Sequence, residues 1–256
     1  MESQDRRPRQ RSFFARLRRR INGPGAGIPN RALHPPLAGD VMRAKIREPL
    51  GSYLEARDFK KAEEQWTWIR PRTAWVNDYI FAPLLTKSAP ELYGINLYVG
   101  VQCPPVNRLL VEVSGGRYKP TRPLLSPLIS EPYLHKKRIP SRWDFWNTAF
   151  DDEEMDDMLW HLECYGLPFM ESFNALDDLV AAFYQYAPLF QDWPEKAAAI
   201  LALAGRYDEA QRRLEGSLRT VKAMSEEQIK IINTMIDALQ DKTLQGLVAD
   251  RIKGSE

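Results

Sequence analysis

Every strong strand signal in this chain falls between residues 66 and 113, and the chain beyond residue 150 reads as helix. Strands gathered ahead of helices cannot alternate as βαβ units. That order excludes a doubly wound α/β fold and predicts α+β. The expected architecture is an antiparallel sheet of about four strands, preceded by one helix and followed by a C-terminal helical segment.

The strand signals are specific. "WTWIRPRTAWVNDYIFAPLL" holds two aromatic and β-branched runs split by Arg70-Pro71-Arg72, the pattern of two strands and a turn. "LYGINLYVGVQ" alternates, with Ile95, Leu97, Val99 and Val101 on one side and Asn96, Tyr98, Gly100 and Gln102 on the other. That period of two predicts a half-buried strand. "RLLVEVSGGRY" supplies a fourth run, ending at Gly115-Gly116. Residues 117 to 150 are rich in proline and cations and read mostly as loop, with room for a short edge strand.

Helical periodicity brackets these strands. Val41, Ile46, Leu50 and Leu54 fall roughly on one face of a segment with Asp40 as N-cap and Pro49 as a kink or second start. "DDEEMDDMLWHLECYG" begins acidic and reaches a glycine, so Gly166 and Pro168 read as a helix stop. Asn174 is placed to cap the next helix, and Gly205 to divide two more. Ser225 and Gln228 have capping-box spacing ahead of Ile229, Ile232, Ile236 and Leu239, a seam at steps of three and four.

Charge is unevenly distributed. Residues 1–22 hold eight arginines against Glu2 and Asp5, a net of +6, and the chain's net charge of +2 leaves −4 for the remainder. The segment to residue 39 is rich in Gly and Pro and lacks apolar periodicity. The expected division is therefore a basic disordered tail over 1–39, an α+β domain over 40–187, and a helical extension over 188–256 packed on that domain. Two cysteines, Cys103 and Cys164, are too few for a disulfide framework. No apolar run approaches the roughly 18 residues that span a bilayer, and the N-terminus lacks a signal-peptide apolar core. A soluble, reduced, cytoplasmic protein is the default.

The residues able to do chemistry are sparse. His161 and Cys164 lie three apart, but the chain has no Cys-x-x-Cys and no His-Glu-x-x-His. On a helical wheel of about 100° per residue, Met155, Met158, Leu159, Leu162 and Tyr165 form a buried stripe. His161 flanks that stripe and Cys164 lies nearly opposite, beside Trp160. "DDEEMDD" lacks the order of a calcium loop and suits a helix N-terminus instead. "LALAGRYDEAQRRLE" looks like one tetratricopeptide helix pair, but the pattern does not recur, which leaves a lone αα-hairpin. Hydrolase, Walker and kinase signatures are missing. No catalytic residue, metal or cofactor is expected.

Cations are the remaining candidates. Arg16, Arg18, Arg19 and Arg20 sit among Phe13, Phe14, Leu17 and Ile21, the composition of a basic amphipathic helix. Arg117, Lys119, Arg122, Lys136, Lys137, Arg138 and Arg142 lie in the long loop beside Tyr118, Tyr133, Trp143 and Trp146. Both groups could meet an anion or a partner.

Four motifs in order carry a resemblance: "LEARDFKKAEEQWTWIR", "YGINLYVGV", "SRWDFW" and "YGLPFMESFNALDDL". Over about residues 42 to 185 the chain resembles a bacterial family known only as a domain of unknown function. That family has a glycine before the phenylalanine of its "GF-K-K" turn, where Ala56-Arg57-Asp58-Phe59 has none. The resemblance implies an α+β domain and no activity. The expected function is a non-enzymatic protein-interaction or regulatory protein, acting through the 117–146 surface or the C-terminal helices. Nucleic-acid or anionic-surface binding through the tail is the alternative, and an enzyme of unrecognised type the second. An enzyme would need polar groups such as Asn96, Tyr98 and Arg117 to converge in a pocket.

Overall fold

The computed structural model describes residues 36–64, 66–85, 92–118, 123–130, 140–148, 150, 152–185, 194–219 and 224–253. The fold is α+β. Helix α1 (Gly39–Glu55) buries Met42, Ile46, Leu50 and Leu54. Four-residue steps keep these on one face, whereas Val41, five residues before Ile46, is turned about 140° away and is exposed. Ala38, not Asp40, occupies the N-cap, and Asp40 lies in the first turn. Pro49 sits inside the helix on its exposed side without ending it. The helix closes when Phe59 N–H reaches Leu54 O at 3.1 Å.

Strands β1 (Lys60–Lys61), β2 (Thr67–Pro71), β3 (Asn77–Phe81) and β6 (Tyr98–Gln102) form one sheet in that order, and it is antiparallel. Strands β4 (Leu84–Leu85), β5 (Leu92–Ile95) and β7 (Trp143–Trp146) form a second. The β2–β3 connection is the expected hairpin, but its turn lies just past Arg70-Pro71-Arg72. Arg72 N–H still donates to Val76 O at 3.2 Å, and Thr73 Oγ1 accepts from Val76 N–H at 3.0 Å.

The alternating run 92–102 is two strands in different sheets, divided at Asn96-Leu97. Nor is β6 half-buried, because residues 99–102 are all buried. Part of the long loop covers it. Val99 N–H donates to Pro127 O and Val101 N–H to Leu125 O, each at 3.0 Å. A Cβ on Gly100 would stand 1.9 Å from Leu125 O, so only glycine permits this approach. The end of that loop forms β7, an edge strand with Gly94 opposite Asp144 and Ile95 opposite Trp143.

The fourth expected strand is instead helix α2 (Pro104–Val113). Pro104-Pro105 opens it, where a missing N–H costs nothing. Val106, Leu109 and Leu110 are buried at helical spacing. Gly115 and Gly116, at φ 61° and 82°, terminate the helix, with Gly116 N–H on Val111 O at 2.8 Å.

Helix α3 (Asp152–His161) does not stop at Gly166. It passes through a π-turn (Leu162–Gly166), in which Leu167 N–H bonds Leu162 O, into α4 (Leu167–Glu171). The wider turn lets Pro168, which has no N–H to give, enter helical backbone. Helices α5 (Leu176–Gln185), α6 (Pro194–Leu203), α7 (Tyr207–Leu218), α8 (Glu226–Gln240) and α9 (Thr243–Lys253) complete the chain's described elements. Gly205, at φ 73°, turns α6 into α7 as the sequence implies. Ser225 Oγ caps α8 by accepting from Gln228 N–H at 3.2 Å. The buried seam of α8 is Ile231, Ile232, Met235 and Leu239. Ile232 and Leu239 are shared with the expected seam, while Ile229 and Ile236 are half-buried.

The chain forms two compact units. The first is Met1–Trp68, Ile80–Tyr98 and Leu128–Pro168, and the second is Ile69–Tyr79, Val99–Pro127 and Phe169–Glu256. The first buries the α1 stripe with Ile95, Trp143, Phe145, Met155, Met158 and Leu162. The second is organised around α6, all ten residues of which are buried among α2, α5, α7, α8 and α9. The alanines, leucines and isoleucine of α6 face every side and are stable only when enclosed, and its two buried charges are hydrogen-bonded, Lys196 Nζ donating to Pro123 O at 2.6 Å and Glu195 Oε2 accepting from Gln228 Nε2 at 3.2 Å. Among the described residues no helix is long and apolar enough to cross a membrane.

Candidate functional site

The His161 neighbourhood is packing. His161 is buried, and its Nδ1 lies 2.7 Å from Asp157 O, so that nitrogen carries the proton. Its ring meets Trp160, Trp143 and Tyr165 with centroids 4.8, 5.7 and 5.9 Å away. Trp143 Nε1 donates to Asp157 Oδ2 at 2.9 Å, tying β7 to α3. The wheel places His161 on the flank, but Trp143 covers that flank. Cys164 is exposed, on the side the wheel gives it, and Trp160 beside it is half-buried. Next to Cys164, Glu163 accepts from Tyr53 O–H and pairs with Arg57 Nη2 at 2.7 Å. Arg57 also lies 3.7 Å from the Tyr53 ring centroid. Burial, then the Glu163 carboxylate, raises the Tyr53 hydroxyl pKa above its ordinary value.

Cys103 belongs to the second unit, and burial pushes its thiol up to about 12. A thiol so shifted stays protonated at neutral pH and is a poor nucleophile. Among the described residues no three His, Cys, Asp or Glu side chains are placed to hold a metal ion.

Of the loop cations singled out by sequence, Arg142 and Arg117 are described: Arg142 Nε pairs with Asp144 Oδ1 of β7 at 2.6 Å, and Arg117 lies at the end of α2. Arg117 is exposed, and its Nε donates to Ser114 O at 2.8 Å, closing the C-terminal end of α2. Arg16, Arg18, Arg19, Arg20, Lys119, Arg122, Lys136, Lys137 and Arg138 lie outside the described residues.

Two groupings were not anticipated, and both lie in the second unit. The first surrounds Asp78, whose side chain is fully buried. Arg70 Nε donates to Asp78 Oδ2 at 2.8 Å, and Arg72 Nε to Asp78 Oδ1 at 2.6 Å. Arg70 also reaches Glu171 Oε1 at 3.0 Å. Arg72 reaches Met170 O at 2.7 Å, Phe173 O, and Asn174 Oδ1 at 2.9 Å. The expected cap Asn174 thus turns its side chain to Arg72, and Asp178 caps α5 instead, accepting from Asn174 and Ala175 N–H at 2.8 and 3.0 Å. A signal existed: residues 70 and 72 share a strand face, and a hairpin brings 78 opposite.

The second grouping is on α5 and α7. Tyr184 is the most exposed large apolar side chain among the described residues, at 50%. Its O–H donates to Glu209, which pairs with Arg206 at 2.5 Å. Arg206 stands 5.2 Å from the Tyr184 ring centroid, and Arg213 stands 5.0 Å from that of the buried Phe183. Partial burial and the Glu209 contact raise the Tyr184 hydroxyl pKa, and the same hydrogen bond lowers that of Glu209. A signal existed here too: Leu176, Leu179, Val180 and Phe183 recur at steps of three and four, which puts Phe183 on the apolar stripe and Tyr184 off it.

No family model, curated protein or solved structure matches this chain.

Proposed function

We propose that this chain is a non-enzymatic protein-interaction or regulatory protein, and that its docking surface lies on α5 and α7. The carrying observation is Tyr184, half-exposed yet held in place by Glu209 and Arg206. Tyrosine and arginine dominate the energetic centres of protein interfaces, and a ring already fixed loses little entropy on binding. The scaffold suits the task, because the enclosed α6 fixes the helices that display the patch. Of the pair considered for chemistry, His161 is buried among aromatic rings while Cys164, three residues on, is exposed, which favours this reading over an enzymatic one. The resemblance to a bacterial domain of unknown function remains part of the proposal. It is supported by Asp58, at φ 66° where that family carries glycine.

The test is affinity capture from native lysate with wild type, Tyr184→Ala and, as control, Val41→Ala, which removes the other exposed large apolar side chain among the described residues. Recovery of a partner should fall about tenfold or more with Tyr184→Ala, the effect of losing a residue worth roughly 1.4 kcal/mol or above, and should be unchanged with the control. Equal recovery with all three proteins refutes the assignment.

A further inference from the structure

Among the described residues, three arginines stand over aromatic rings, and the acceptors around them differ. Arg57, 3.7 Å from the Tyr53 ring centroid, directs its fork to Tyr53 O at 3.1 Å and Glu163 Oε2 at 2.7 Å. Arg206, over Tyr184, pairs with Glu209. Arg213, 5.0 Å from the Phe183 ring centroid, has neither a hydrogen bond nor an ion pair among the described residues.

The spacing along α7 explains why. Residues 206, 209 and 213 are three and four apart and so share one helix face. That face meets Phe183 and Tyr184. Glu209 is the carboxylate between the two arginines, but one of its oxygens accepts from the Tyr184 hydroxyl and the other pairs with Arg206. Glu215, the next carboxylate along α7, accepts from Gln211 Nε2 at 2.8 Å. Arg213 is itself half-buried, over a buried ring. A guanidinium that has lost part of its water and gained no acceptor is under-satisfied. Its remaining donors form a planar fork that matches a carboxylate.

We infer that Arg213 is the acid-binding subsite of the α5–α7 surface, and that the partner is a polypeptide that sets an Asp or Glu carboxylate on Arg213 beside an apolar side chain on Tyr184. The apolar half rests on the reading of Tyr184 as an anchor. The carboxylate half stands on Arg213. A guanidinium–carboxylate pair is charge-assisted and fixes orientation as well as contact. A carboxylate suits the position better than a phosphate, because Glu209 lies one helical turn from Arg213 and would repel a dianion more than a monoanion. Arg213 therefore selects the partner by charge, while Tyr184 supplies contact area.

The test uses the full chain, ¹⁵N-labelled, and two capped peptides, acetyl-Phe-Glu-Asp-Leu-amide and its neutral isostere acetyl-Phe-Gln-Asn-Leu-amide. The Arg213 Nε–Hε cross-peak, assigned by its loss in Arg213→Gln, should move with the acidic peptide at millimolar concentration and stay still with the isostere. The acidic peptide should bind about fivefold more tightly at low salt, the scale of one partly exposed charge pair, and added salt should shrink that ratio. Arg213→Gln should abolish the preference, while Arg212→Gln, which removes the neighbouring exposed arginine, should keep it. Equal movement with both peptides, no movement with either, or the same loss in Arg212→Gln overturns the subsite. If Arg213→Gln does not fold, Arg213→Lys decides: it keeps the charge without the fork, so a reduced preference supports the pairing and an unchanged one counts against it. Tyr184→Ala reports separately on the anchor. If it leaves the affinity for both peptides unchanged while the acidic preference persists, the anchor fails and the subsite stands. If it lowers both affinities and no acidic preference exists, the anchor stands and the subsite fails.

Discussion

Asp78 and Glu209 are both carboxylates held by arginine in the second unit, and the surroundings give them opposite roles. Asp78 is wholly out of water, with Arg70 and Arg72 only 16% and 14% exposed. Its neighbours also satisfy the guanidinium groups, through Glu171, Asn174 and two backbone carbonyls. Glu209 sits at the surface, with its partner Arg206 43% exposed. Desolvation makes each partner at Asp78 indispensable to the others, whereas water can replace either partner at Glu209. Similar residues thus pin a hairpin to a helix corner in one place and display an aromatic ring in the other.

The largest expected effect tests the buried cluster. Asp78→Ala strands two guanidinium groups in a low-dielectric setting and should cost about 3–5 kcal/mol in urea unfolding. A loss below about 1 kcal/mol would break the contrast, because it would mean that water reaches the cluster. Arg206→Ala should change stability by no more than about 0.5 kcal/mol while weakening capture of a partner, so its signature is binding lost with unfolding unchanged. A comparable loss of stability would place Arg206 among the structural arginines.

The smallest effect is a pH dependence. The Tyr184 hydrogen bond lowers the folded-state pKa of Glu209 below its ordinary value of 4.5. A carboxylate so lowered contributes stability above its unfolded pKa and loses it as the pH falls through the folded value. The difference in stability between wild type and Glu209→Gln should therefore shrink on acidification from about pH 6 to about pH 3, and solvent screening keeps it under about 0.5 kcal/mol throughout. A difference that grows with acid would reverse the assignment.

The helices marked by their own ends were legible in the sequence. Ser225 caps α8, Gly205 takes the positive φ that ends the α6 hairpin, and the carboxylates of residues 152–154 open α3. Residues 104–113 were not. "VNRLLVEV" satisfies a period of two and a helical period at once, and packing against the enclosed α6 decides for helix. Gly166 and Pro168 read as a stop because local rules do not foresee a π-turn. The candidate surface was legible only as far as "the C-terminal helices". Tyr184 stands out once Phe183 is seen to be buried, and the Asp78 cluster once residues about a hundred positions apart are seen to meet.

Taken alone, the sequence determined the class of fold, because period and order are local properties that derive from backbone geometry. It also determined where α3 and α8 begin, because end signals such as the acidic first turn and the Ser225 cap act within one turn. Tertiary structure decided that the alternating run splits between two sheets, that Gly100 accepts a covering loop, and that the chain leaving α4 is held by Arg72. Each of these depends on a partner distant in the chain: Trp143 opposite Ile95, Leu125 over Gly100, Arg72 on Met170. The physical reason is the same in all three. Local preference differs between the alternatives by only a few tenths of a kcal/mol to about 1 kcal/mol per residue, and a single buried contact outweighs it.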